Sequence, residues 1–210
     1  PRGVMLNRPP IFLGGQGGLV GPCRLAFGTF TAAGTICRKD ELRPGHLIYG
    51  GAMQGGSIPW SNAQPAGVGR IVSHNIVYLA NLKALDQWYR HVRALFISQR
   101  FPEALHQGLL HKVSLALDER LKRLGEFDRR LDAPHLGGRF GLVEEAFART
   151  GEERGDRAAR DAFLDKVSQA VKRLGPDYLT VIKGLNPEDR SLGSRWLQSL
   201  VDELAGPWAA

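Results

Sequence analysis

The sequence predicts a β-solenoid joined to an α-helical region. Residues 1–49 read as the terminal coils of a short left-handed parallel β-helix, 50–72 as a Gly/Pro-rich linker and 73–210 as a helical C-terminal region. Three observations predict this. A six-residue period runs from Leu13 to Leu42, Gly and Pro crowd the stretch after Tyr49, and apolar residues recur at helical spacing beyond residue 73.

The period comes first. Stepping by six from Leu13 gives Leu19, Leu25, Thr31 and Cys37, and the fifth position of each unit is Gly17, Cys23, Thr29, Thr35 and Glu41. An isolated strand would alternate with period two and a helix with period 3.6, and neither produces the matched pairs Gly28/Gly34 and Thr29/Thr35. A six-residue unit suits a coil that turns a corner after each short side, with one apolar position per side and glycine where the backbone bends sharply. Such repeats stack so that each coil covers the next. Arg38 and Glu41 break the pattern, which marks the unit from Cys37 to Leu42 as the last. The chain starts at Pro1 and runs straight into the repeat, so a fragment of a longer protein is expected.

Beyond the linker, Leu82, Leu85, Tyr89, Val92 and Phe96 form one stripe, and Leu110, Val113, Leu117, Leu121 and Leu124 another. The spacings of three and four place each set on one helical face. Pro102 and Glu103 suit the first turn of the second helix. A third helix is expected from about Arg160 to Leu174, with Gly175-Pro176 as its stop. Asn186-Pro187-Glu188-Asp189 combines a cap, a first-turn proline and two acids, and it opens a helix carrying Leu192, Trp196, Leu200 and Leu204. A short helix is expected around Leu142–Phe147, and residues 149–157 read as a solvated loop. Ser73 or Asn75 reads as a cap for the first helix. The stripes are packing faces.

Hydrophobic content of 43% and charged content of 23% are ordinary for a soluble globular chain. No apolar run reaches the roughly 20 residues a membrane span requires, and no basic-then-apolar leader is present, so no membrane partner and a cytoplasmic location are expected. Two cysteines, Cys23 and Cys37, are too few for a disulfide framework. The net charge of +7 is uneven, since residues 1–75 hold seven Lys/Arg against two acids. That balance suits a phosphorylated small ligand or a nucleotide. With no basic run and no interleaved aromatics, a nucleic-acid partner is not expected.

Other chemistry finds little support. Of the six histidines (His46, His74, His91, His106, His111 and His135), His91 lies between Arg90 and Arg93, and the five-residue step from His106 to His111 misses the i, i+4 geometry of a zinc pair. No metal site is expected in this chain.

Phe12-Leu13-Gly14, Leu19-Val20-Gly21-Pro22, Ala26-x-Gly28-Thr29, Ala32-Ala33-Gly34-Thr35 and Lys39-Asp40 resemble the last coils of the hexapeptide-repeat domain of bacterial N-acetylglucosamine-1-phosphate uridylyltransferases. Many members are also glucosamine-1-phosphate acetyltransferases. The resemblance covers about 35 of the 210 residues. It implies a homotrimer with acetyl-CoA in a groove between neighbouring β-helices, and a sugar phosphate or a nucleotide sugar such as UDP-N-acetylglucosamine as substrate or product. By position, Gly15 and Ala33 match cofactor-contacting residues, and Lys39 is placed to meet a CoA phosphate. Gly15 lacks the family's hydroxyl, however, and His46-Leu47-Ile48-Tyr49-Gly50 lacks the arginine that follows the family's last coil. The family's catalytic histidine and sugar-binding residues lie in earlier coils, so no catalytic residue is expected here. Mg2+ would enter only through a nucleotidyltransferase domain outside this chain. The resemblance therefore implies the C-terminal part of a sugar-nucleotide enzyme, inactive alone, with the β-helix serving oligomerisation and the ligand groove. The alternative is a non-catalytic β-helix scaffold whose helical tail docks a partner.

Overall fold

Turns, rather than long strands, shape the first third of the chain. In the computed structural model, residues 2–21, 23–50, 67–148 and 154–208 are described. Most of the expected linker (residues 51–66) and the first part of the expected solvated loop (residues 149–153) lie outside the described residues. The chain divides into two units: Asn7–His74, and Pro1–Leu6 together with Asn75–Ala210.

In the first unit, β1 (Phe12–Leu13), β2 (Gly18–Leu19), β3 (Phe30–Thr31), β4 (Ile36–Cys37) and β5 (Leu47–Ile48) are each two residues long. They form two small parallel sheets, one ordered β1-β3-β5 and the other β2-β4. Phe12 pairs with Phe30 and Gly18 with Ile36, so the register spans three six-residue units. Phe30 pairs with Leu47, one residue short of that step, and the bridge from Leu25 to Glu41 is two short.

The expected β-helix is therefore corrected. Among the described residues no solenoid forms: the strands are five short pairs of residues in two small sheets, and most of the chain is helical. The physical reason lies in burial. A solenoid needs the first residue of each repeat to line a core, yet Leu13 and Leu19 are 52% and 49% exposed. Of the first positions only Thr31 and Cys37 are buried, and the other buried side chains of the repeat are the fifth-position Thr29 and Thr35. The six-residue spacing is carried by hydrogen-bonded corners. Gly34 N–H donates to the Gly15 carbonyl (2.9 Å), Gly14 N–H to the Thr31 hydroxyl (2.8 Å), and the Thr29 hydroxyl to the Ala26 carbonyl (2.7 Å). Gly14 is required by a close approach, since a Cβ there would lie 2.4 Å from the Thr31 carbonyl oxygen.

The second unit is built from helices. Helix α1 (Val68–Gln87) begins inside the expected linker and continues as a π-turn (Trp88–Val92) and a 3₁₀ turn (Arg93–Phe96). Ser73 and Asn75 thus sit within α1 rather than at its start. Helix α2 (Glu103–Arg129) starts after Pro102, α3 spans Phe140–Ala148, α4 Arg157–Leu174, α5 Tyr178–Gly184 and α6 Pro187–Ala205. The Asn186 cap accepts from Asp189 N–H (2.7 Å), and Asp156 caps α4 by accepting from Ala159 N–H (2.9 Å). Gly175, at φ 81°, ends α4 where the sequence places its stop.

The core of this unit lies where α4 and α6 meet the π-turn. Trp88 and Trp196 flank Phe163, with ring centroids 5.8 and 6.5 Å away. Met5 is buried against Gly193, where a Cβ would fall 2.6 Å from the Met5 methyl carbon. Asp128, at the end of α2, is buried and accepts from Leu136 N–H (2.8 Å) and Gly137 N–H (3.0 Å), which fixes the turn into α3. Among the described residues, no helix is long and apolar enough to cross a membrane.

Candidate functional site

The helical unit holds a groove of about 580 Å³ between the segment after α1 and the α4–α5 junction. Its wall is assembled by irregular backbone. In the π-turn, Arg93 N–H donates to the Trp88 carbonyl, five residues back. The wider turn frees the Tyr89 carbonyl, which bonds the buried His106 Nε2 from α2 at 2.9 Å. Single π-turns occur mostly inserted in α-helices and often at functional sites. Here the turn sets the direction of Arg93. Next, Ser98 and Phe101 exchange two backbone hydrogen bonds of 3.0 and 3.1 Å and close a tight turn. Pro102 then permits α2 to start. Across the groove, Gly175-Pro176 breaks the helix and Asp177 caps α5, so Tyr178 stands opposite Phe101.

Arg93 is held between these two rings. Its guanidinium carbon lies 4.2 Å from the Phe101 centroid and 3.9 Å from that of Tyr178. Both faces of the cation are thus covered by aromatic π-systems, which attract it electrostatically, and its N–H edge remains for in-plane bonding. The Tyr178 hydroxyl accepts from Trp88 Nε1 (3.1 Å), and Phe96 packs edge-on against the ring at 5.1 Å. Burial pushes the Tyr178 phenol above its ordinary range against the opposing bond from Trp88 and the charge of Arg93, so the phenol stays neutral. Asp177 also lines the groove, but hydrogen bonds from Thr180, side chain and backbone, hold its carboxyl below the usual range, helped by the charge of Arg100. Among the described residues no carboxylate pairs with Arg93. The groove therefore offers a planar, stacked cation, a second cation in Arg100, and apolar walls from Phe96, Phe101 and Leu174.

The residues singled out by resemblance lie elsewhere. Gly15 and Ala33 sit on stacked exposed turns, joined by the Gly34 N–H bond to Gly15. Lys39 is exposed in the bend after β4. Its neighbour Asp40 accepts from Arg24 (2.8 and 3.1 Å) and lies 3.7 Å from His74 Nε2. Burial pushes the Asp40 carboxyl up, but the Arg24 bonds and the charges of His74 and Arg24 outweigh it and hold the group below its usual value. Both cysteines are free, Cys37 buried and Cys23 half-buried, with the Cys23 thiol pushed up by burial. Among the described residues no three His, Cys, Asp or Glu side chains are placed to hold a metal.

Compared with protein-family models, with curated proteins and with solved structures, the chain matches none. This, with the helical architecture, overturns the resemblance to the uridylyltransferase repeat domain. The six-residue motifs encode corners that share glycine and threonine with that family without building its solenoid. Arg93, Arg100, Phe101 and Tyr178 were not singled out from the sequence. The available signal was an aromatic beside each of two helix breaks, Phe101-Pro102 and Pro176-Asp177-Tyr178, with Arg100 next to the first.

Proposed function

We propose that the chain is a binding protein whose helical unit takes the anionic end of a small ligand in the Arg93 groove. One observation carries the reading: a stacked guanidinium with no carboxylate partner among the described residues faces a groove of ligand size. Pockets of roughly 300–1,000 Å³ with apolar walls and a few polar groups suit small molecules. Arginine's rigid fork matches carboxylate and phosphate oxygens in two parallel hydrogen bonds. The apolar walls call for a ligand that joins such an anion to a ring or acyl body. Nucleotide sugars and acetyl-CoA, the ligand classes expected from the sequence, both carry phosphate, so they belong among the probes. The reading takes the cytoplasm as the compartment.

Calorimetry on the full chain tests this with inorganic phosphate, benzoate, UDP-N-acetylglucosamine and acetyl-CoA. At least one phosphate or carboxylate probe should bind the wild type. Arg93→Gln should weaken that binding by roughly ten- to a hundredfold, the worth of one or two charge-assisted hydrogen bonds. Arg93→Lys, which keeps the charge without the fork, should fall between. Equal affinity in wild type and Arg93→Gln, or no heat from any of the four probes at millimolar concentration, overturns the proposal.

A further inference from the structure

His106 touches both parts of the wall that holds Arg93. In a continuous α-helix the Tyr89 carbonyl would accept from the Arg93 N–H, four residues on. Here the Arg93 N–H donates to the Trp88 carbonyl instead. The vacated Tyr89 carbonyl is taken by His106 Nε2 from α2, at 2.9 Å. A carbonyl can only accept, so Nε2 carries the ring proton. The imidazole also meets Phe101 edge-on, with centroids 6.1 Å apart and planes at 67°. Phe101 is one of the two rings that cover the Arg93 guanidinium.

The other ring nitrogen argues against a packing role alone. His106 is 4% exposed, and its Nδ1 is buried with no hydrogen-bond partner. The carboxylate of Glu103 lies 3.7 Å away, beyond hydrogen-bond reach. An idle buried acceptor costs stability. Phenylalanine would fill similar space without that cost, so filling space gives no reason for an imidazole here. The Nε2–H bond to Tyr89 does. Without it, the Tyr89 carbonyl could be satisfied by Arg93 N–H, and the turn would tighten from π to α. That change would rotate Arg93 about the helix axis and take it from between its two rings.

We propose that His106 is the positioning residue of the Arg93 groove. Its Nε2–H occupies the carbonyl that would otherwise pull Arg93 into the α register, and its ring braces Phe101. The consequence for ligand affinity rests on the reading of the groove as an anion site. The positioning itself does not, because it can be read without a ligand.

NMR of the full chain tests it. The side-chain methylenes of Arg93, stacked between two ring faces, should resonate upfield of an ordinary arginine. His106→Phe, which keeps a ring and loses the donor, should lose at least about half of that shift. His106→Gln, which restores a side-chain N–H, should retain most of it. Retention of the full shift in His106→Phe overturns the proposal, and so does equal loss in the two variants, since shape rather than the donor would then be responsible. The wild type gives a second reading that needs no variant to fold. At a pH where the ring is neutral, nitrogen NMR should find the His106 proton on Nε2 and Nδ1 bare. A proton on Nδ1 overturns the proposal. For any of the four probes that binds the wild type, His106→Phe should weaken binding roughly tenfold, about one hydrogen bond's worth, and His106→Gln should recover it. Unchanged affinity in His106→Phe overturns the proposal while leaving the anion site standing. Absence of binding by every probe, with the Arg93 shift lost in His106→Phe and kept in His106→Gln, overturns the anion site and supports the positioning role.

Discussion

The two units of this chain solve the same problem in opposite ways. The helical unit hides its large side chains: Trp88, Phe96, Phe147, Phe163 and Trp196 are all nearly inaccessible. The β unit hides threonine and cysteine, and leaves Phe12, Phe30, Leu42 and Leu47 half-exposed or more. One unit is held by side-chain packing, the other by backbone hydrogen bonds between stacked turns. The difference teaches where sequence change is tolerated. In the helical unit the sensitive positions are large and apolar. In the β unit they are small, and the large apolar residues are available for contact with something else.

The sharpest way to break this comparison is to truncate one aromatic in each unit. Trp196 is fully buried between Phe163 and the edge of His91. Trp196→Ala should destabilise the helical unit by about 3–5 kcal/mol, the range for deleting a buried large aromatic. Phe30→Ala removes a ring that water already reaches, and should cost no more than about 1 kcal/mol. Amide exchange resolves the two units separately. A Phe30→Ala loss as large as that of Trp196→Ala would show that the β unit has a side-chain core after all.

What was legible in the sequence divides along the same line. Boundaries set by local chemistry were readable: Pro102-Glu103 opens α2, Asn186-Pro187 opens α6 and Gly175 closes α4. Of the first stripe, Val92 and Phe96 are buried, but Leu82, Leu85 and Tyr89 are only half-buried, while Ala80, Ala84 and Trp88 line the core. The π-turn explains the slip, since its extra residue moves the stripe by one position at Trp88. The six-residue period was legible as spacing, and the register of Phe12 with Phe30 reflects it. Its meaning was misread because period alone does not say which residue of the unit is buried. The groove was not legible. A π-turn, the Ser98–Phe101 turn and the start of α5 bring Arg93, Phe101 and Tyr178 together from positions up to 85 residues apart in sequence. The start of α5 is marked by its Asp177 cap, but the π-turn and the Ser98–Phe101 turn have no sequence signature of their own.

A finer test stays within the β unit and separates two adjacent glycines. A Cβ at Gly14 would sit 2.4 Å from the Thr31 carbonyl oxygen and 2.6 Å from the Ala32 carbonyl carbon. Both are backbone atoms of a stacked turn, so neither can swing aside as a side chain would. Gly14→Ala should cost about 1–3 kcal/mol, as for other overpacked sites. At Gly15 a Cβ meets nothing within 4 Å. Gly15→Ala should change stability by less than about 0.5 kcal/mol, as at an unencumbered surface position. Equal effects at the two positions would mean that close backbone approach does not hold this unit together.

The smallest expected effect concerns the acids of the β unit. Arg43 bonds both oxygens of Glu41 and donates its own backbone N–H at 2.9 Å. These bonds lower the Glu41 carboxyl from 4.5 to about 2. A carboxyl depressed in the folded state stabilises it above the unfolded value and loses that contribution as pH falls through the folded one. The window therefore runs from about pH 4.5 down to about pH 2. Arg43 is exposed although Glu41 is partly covered, and ion pairs at the surface contribute little, so the melting temperature should move only slightly across this window. The carboxyl carbon resonance of Glu41 gives a direct reading, with a midpoint near pH 2 in the wild type. Arg43→Gln should return the midpoint toward 4.5, the ordinary glutamate value. A midpoint that stays near 2 in the variant would assign the shift to the field of the whole basic unit rather than to one arginine.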